Sequence, residues 1–114
     1  MTLSTHVLDA ARGRPAAGMT VELSRRTGSG WEPVAGGVTD SDGRLRPTDG
    51  SGAEVGLAAG TYRLEFDTGG YFAATGQAGF YPLVSITFEV TDPGSHHHVP
   101  LLLSPFAYST YRGS

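Results

Sequence analysis

Three stretches of this chain alternate apolar and polar residues with a period of two, and that period dictates strands rather than helices. Met19, Val21 and Leu23 interleave with Thr20, Glu22 and Ser24. Tyr62, Leu64 and Phe66 interleave with Thr61, Arg63, Glu65 and Asp67, and Val84, Ile86, Phe88 and Val90 with Ser85, Thr87 and Glu89. One apolar and one polar face per strand is the pattern of antiparallel sheets covered on one side, not of parallel strands buried on both. Turn residues separate the stretches at Thr27-Gly-Ser-Gly30, Asp40-Ser-Asp-Gly43, Thr48-Asp-Gly-Ser-Gly52 and Asp92-Pro-Gly-Ser95, so the 17 glycines are mostly punctuation. The Asp42-Gly43 pair predicts a tight hairpin, because glycine accepts the positive φ such turns demand. The period breaks at Thr68–Gly76, where a helical turn or two over Tyr71–Thr75 is expected, with Gly76 ending it. About seven or eight short strands and one short helix read as an all-β sandwich. At 114 residues the expectation is a single domain, 1–114.

Composition removes several kinds of chemistry. With no cysteine there is no disulfide, thiolate nucleophile or cysteine-ligated zinc. All eight basic residues are arginines, set against eleven acidic ones for a net charge of −3, which argues against a nucleic-acid partner. The start, Met1 to Asp9, has neither the basic residues nor the apolar run of a secretory leader. The longest aliphatic run is Leu101-Leu102-Leu103, so no membrane partner is expected and the compartment is expected to be cytoplasmic.

Histidine is the side chain whose charge changes near neutral pH, and it occurs at His6 and at His96-His97-His98. The run leads into Val99-Pro-Leu-Leu-Leu-Ser104, which reads as a strand. Alternation puts His97, Val99, Leu101 and Leu103 on the core face and turns His98 outward beside Leu102. In the same way Leu3, Thr5 and Val7 face one side, and Ser4, His6 and Leu8 the other. Both outward histidines sit beside an outward leucine, as suits a surface covered by another subunit. Exposed strand histidines would show the same pattern. His96, His98 and His6 could also offer three imidazoles to a metal, although no acidic residue lies close in sequence. Arg44 follows the Asp-Gly turn directly, and its planar fork of donors suits either solvent or an anion or carbonyl clamp. The C-terminal Tyr108, Tyr111 and Arg112 crowd the chain end at Ser114, which points to a docked tail rather than a frayed one.

Taken together and in this order, these segments resemble the transthyretin-like 5-hydroxyisourate hydrolases of purine (urate) degradation. The resemblance runs through Leu3-Ser-Thr-His-Val-Leu-Asp9, Thr39-Asp-Ser-Asp-Gly-Arg44, Thr61-Tyr-Arg-Leu-Glu-Phe66 and the Tyr71-Phe72 region. It continues through Phe80-Tyr-Pro82 and His98-Val-Pro-Leu-Leu-Leu-Ser-Pro105 to the terminal Tyr111-Arg-Gly-Ser114. It implies a sandwich of two four-stranded, mainly antiparallel sheets with one short α-helix. It also implies a homotetramer, a dimer of dimers with active sites at the subunit interface. The implied reaction is hydrolysis of 5-hydroxyisourate to 2-oxo-4-hydroxy-4-carboxy-5-ureidoimidazoline, without metal or organic cofactor. Carried over residue by residue, His6, Arg44, His98 and Ser114 would be catalytic, and His6, Arg44, Tyr111 and Arg112 would bind substrate. His96 and His97 are looser matches, and His97 is the alternative to His98. The other readings are a transthyretin-like carrier for a small aromatic ligand in the inter-subunit channel, and an interaction domain.

Overall fold

Each alternating stretch becomes a strand with its apolar set inward. The computed structural model describes residues 2–114. The elements are β1 (Leu3–Asp9), β2 (Arg14–Pro15), β3 (Thr20–Thr27), β4 (Gly30–Val38), β5 (Arg44–Leu45), β6 (Gly60–Phe66), α1 (Thr68–Ala74), β7 (Val84–Val90), β8 (His97–Ser104) and β9 (Ala107–Thr110). One sheet runs β4-β3-β6-β7 and is antiparallel throughout. The other runs β2-β1-β8-β9, with the two-residue β5 also paired to β1. Within it β1 and β8 are parallel, and the remaining pairs are antiparallel.

The core lies between the sheets. Val21, Leu23, Leu64, Phe66 and Val84 from one sheet close on Val7, Leu101 and Leu103 from the other, each essentially inaccessible to water. Burying a side chain of this kind stabilises the fold by about 1.5–3 kcal/mol. The inward and outward sets expected from alternation are largely the observed ones, including buried His97 and half-buried His98. Ser24, where a register shift interrupts the pairing of β3 with β4, and Pro100 are buried although they were expected outward.

Two local expectations are corrected. The helix begins at Thr68, three residues before Tyr71, because the Asp67 carboxylate caps it by accepting the Gly70 N–H at 3.0 Å. Gly76 (φ 68°) then ends it as expected. The Asp42-Gly43 turn does not close a hairpin: β4 before it and β5 after it belong to different sheets. The turn instead carries the chain across the sandwich and docks on β1. The Val7 N–H donates to the Gly43 carbonyl at 2.8 Å, and a side chain at Gly43 would run into the Val7 carbonyl oxygen. Gly43 needs its positive φ of 74° for a crossover, not for a hairpin.

At seven residues α1 is too short to be stable alone. Its anchor is Asp9, buried at the end of β1, which accepts hydrogen bonds from the Tyr71 hydroxyl (2.6 Å), Gln77 Nε2 (3.0 Å) and the Arg12 N–H (3.0 Å). Burial alone would raise the Asp9 carboxyl, but these donors outweigh it and hold the group below its ordinary value. Burial, reinforced by Asp9, pushes the Tyr71 hydroxyl up to about 12. A carboxylate depressed in the folded state stabilises the fold above its unfolded value, and that contribution is lost as pH falls through the folded one. Tyr71→Phe should therefore cost about 1–3 kcal/mol at neutral pH and less near pH 3. Urea midpoints at the two pH values measure this, and equal losses at both would contradict the anchor.

Candidate active site

β1 is flanked on both sides at its N-terminal half, and this brings distant residues onto one outward face. On one side β5 sets Arg44 opposite His6. On the other, β8 sets His98 opposite Ser4 and Pro100 opposite His6. Ser4 and His6 are two apart and share the outward face of β1, where both are half-buried. Arg44 owes its position to Asp40, whose Oδ1 accepts the N–H groups of Asp42 and Arg44, each at 2.9 Å. The turn thus hands Arg44 to β1 at a fixed register.

An open cavity of about 420 Å³ lies on this face, lined by Ser4, Asp40, Arg44, Arg46 and His98 with Val38 and Leu45. His6 borders the Asp-Gly turn, and its Nε2 lies 2.9 Å from the Asp42 carbonyl oxygen. A carbonyl only accepts, so Nε2 carries the proton, and in neutral His6 the lone pair is on Nδ1. His98 has the opposite arrangement. Its Nδ1 lies 2.7 Å from the Ser4 hydroxyl, and its Nε2 makes no hydrogen bond among the described residues. Burial, with the positive fields of Arg44, His6 and His96, holds His98 below its ordinary 6.5, while a hydrogen bond to the Ser4 backbone works against that shift. The net shift favours the uncharged imidazole at neutral pH.

The tail reaches the site from the far side of β8. The Gly113 N–H donates to the His98 carbonyl at 2.8 Å. A Cβ at Gly113 would run into the His98 ring, so only glycine lets the tail lie this close. Tyr111 and Arg112 do not enter the Arg44 cavity. With His97, His98, Phe88 and Thr110 they line a second, mostly apolar groove of about 230 Å³ between β7 and the tail. His98 borders both spaces. Ser114 follows Gly113 and is exposed. The structure therefore brings His6, Arg44 and His98 together, and sets Tyr111, Arg112 and Ser114 along the opposite flank of His98. Buried His97 belongs to the core face.

Ser4 was not singled out by sequence reasoning. Its signal was its outward position two residues before His6, and its value appears only once β8 is paired in register. Among the described residues no group of three or more His, Cys, Asp or Glu side chains is arranged to hold a metal ion. His96 and His98 do share a side, with the Ser4 hydroxyl between them.

The profile of the HIUase/Transthyretin family matches residues 3–113. The chain belongs to this family. It is 49% identical to the 5-hydroxyisourate hydrolase of Deinococcus radiodurans, over 98% of this chain and 95% of that one. It is 48% identical to that of Caulobacter vibrioides, over 98% and 97%. Among solved structures it matches the 5-hydroxyisourate hydrolase of Klebsiella pneumoniae with a TM-score of 0.84 at 40% identity over the whole of both chains. It matches sea bream transthyretin in complex with thyroxine with a TM-score of 0.86 at 34% identity, over 99% of this chain and 95% of that one. The same sandwich is thus found in a 5-hydroxyisourate hydrolase and in a transthyretin complexed with thyroxine, and backbone likeness does not separate the two.

An observable consequence follows from the charges around His98. In an NMR titration its imidazole should protonate below pH 6.5, and Arg44→Gln should raise the midpoint by removing a nearby cation. A midpoint at 6.5 or above, unmoved by Arg44→Gln, would contradict this description of the site.

Proposed function

We propose that the chain is a 5-hydroxyisourate hydrolase that opens a cyclic ureide by attack of water on a ring carbonyl. The observation that carries the reading is the convergence of Arg44 and His98 on one outward cavity, with His6 paired opposite Arg44 on the same face of the sheet. The names of the relatives, at 48–49% identity over 98% of the chain, support the same reaction.

In this mechanism His98 is the general base. It is neutral at working pH and, with Nδ1 engaged by Ser4, has Nε2 left for the cavity. Water adds to the carbonyl carbon as its proton passes to His98 Nε2. Arg44 holds the charge that develops on the carbonyl oxygen, in a cavity that a facing subunit would shield from solvent. The ring C–N bond then breaks, and the proton moves from His98 to the departing nitrogen, leaving a carboxylate and a ureido group. His6, fixed through Nε2 by the Asp42 carbonyl, orients the water or the substrate. Tyr111, Arg112 and Ser114 would contact only a part of the substrate that reaches past His98 toward the tail.

The cavity is open in one chain, and the same sheet carries half-buried Leu8 and Leu102 outward further along β1 and β8. A homotetramer whose channel closes over these sites completes the reading. The carrier alternative is disfavoured because an apolar ligand in this cavity would leave the Arg44 guanidinium and His98 Nε2 without partners.

Freshly generated 5-hydroxyisourate, followed by its loss of absorbance, tests the proposal. Removing a general base costs about 10²–10⁴-fold and removing a charge-stabilising donor about 10²–10³-fold. His98→Ala and Arg44→Ala should therefore lose at least about a hundredfold in kcat/KM while still sedimenting as folded tetramers. Wild-type turnover in both variants would overturn the assignment.

A further inference from the structure

Beyond the residues that line the cavity, a file of hydrogen bonds runs outward from His98. Its Nδ1 meets the Ser4 hydroxyl at 2.7 Å. The same hydroxyl meets His96 Nε2 at 2.8 Å, and His96 Nδ1 meets the Thr2 hydroxyl at 2.6 Å. The parallel pairing of β1 and β8 sets Ser4 opposite His98, so the file joins two sequence-distant segments.

Proton counting limits how this file can be populated. The Ser4 hydroxyl has one proton and sits between two imidazole nitrogens, so it can donate to only one of them and must accept from the other, and two arrangements use that proton within the file. In the first arrangement His98 Nδ1–H donates to Ser4, Ser4 donates to His96 Nε2, and His96 Nδ1–H donates to Thr2. Nε2 of His98 then carries a lone pair. In the second arrangement every bond is reversed, and His98 presents an N–H at Nε2 and cannot take a proton there. Once His98 is protonated both its nitrogens donate, and only the first arrangement accommodates that state. The base form that already has Nδ1–H therefore accepts a proton at Nε2 without moving any other, and the nearby Arg44 cation favours a lone pair over a further N–H.

We propose that Ser4 and His96 are positioning residues that fix His98 as its Nδ1–H tautomer, presenting the Nε2 lone pair to the cavity. The inference rests on the proposed role of His98 as base, and it assigns to the first histidine of the His96-His97-His98 run a function through His98 rather than contact with substrate. The arrangement parallels the general case in which the partner of one imidazole nitrogen decides what the other can do.

The test separates the tautomer from the turnover. Long-range ¹⁵N–¹H correlation spectra of the ligand-free protein should show His98 as predominantly the Nδ1–H form. Ser4→Ala should shift it toward the mixture of a free imidazole and lower kcat by about 10–100-fold, the usual size of an orienting partner's effect, with KM changed less than about twofold. Ser4→Thr, which restores a hydroxyl to a strand position, should recover both the tautomer and most of kcat. His96→Ala should fall between wild type and Ser4→Ala. A wild-type His98 with its proton on Nε2 would overturn the inference, as would a tautomer and kcat unchanged by Ser4→Ala and His96→Ala. Because the spectrum needs no substrate, a protein that fails to hydrolyse 5-hydroxyisourate would defeat the proposed function while the tautomer still decides the inference. Should Ser4→Ala fail to fold, the wild-type spectrum and His96→Ala decide it.

Discussion

The parallel registration of β1 with β8 is the constraint on which the rest of the site depends. It alone puts Ser4 opposite His98, and because β1 also pairs with β5, it puts His6 between Arg44 and Pro100. A slip of one residue would turn His98 into the core and bring His97 outward, since side chains in a strand alternate faces. The register is secured by burial: Val7, Leu101 and Leu103 are fully enclosed, and moving them outward would forfeit several kcal/mol of apolar burial. The Thr5 hydroxyl adds a lock by donating to the Val99 carbonyl at 2.6 Å. Core packing and site geometry are in this sense one specification.

What the sequence could reveal followed the range of the forces involved. Alternation is local, so the inward and outward sets of β1, β6 and β7, and those of β3 and β8 apart from buried Ser24 and Pro100, were legible, and with them the outward aim of His6 and His98. Pairing between strands is not local. Nothing in Leu3–Asp9 or His97–Ser104 announces that the two lie side by side and parallel, so the partnership of Ser4 with His98 was hidden. The Asp42-Gly43 turn was legible as a turn but not as a crossover, because dipeptide chemistry fixes φ and not the sheet the chain enters next. The helix start was misplaced for a similar reason. Asp67 lies at the end of an alternating strand, and its role as cap becomes visible only once Gly70 turns back onto it.

The resemblance to transthyretin-like hydrolases added positions that physical reading left among alternatives, and the geometry divides them into two groups. His6, Arg44 and His98 share the outward face around the polar cavity. Tyr111, Arg112 and Ser114 lie on the far flank of His98, held there by the close pairing of Gly113 with its backbone. His98 is the hinge between them. One backbone thus occurs in proteins with different names and ligands, so the functional reading of this chain rests on the polar groups it turns outward from β1, β5 and β8.

The central claim is that this outward face, and not the apolar groove under the tail, is where chemistry occurs. A crystal structure with a slowly hydrolysed cyclic ureide tests it most directly. The account predicts a ring carbonyl oxygen within hydrogen-bond distance of the Arg44 guanidinium, with His98 Nε2 within reach of a water facing the same carbonyl carbon. A ureide seated between Phe88 and Tyr111, touching neither Arg44 nor His98 Nε2, would contradict it.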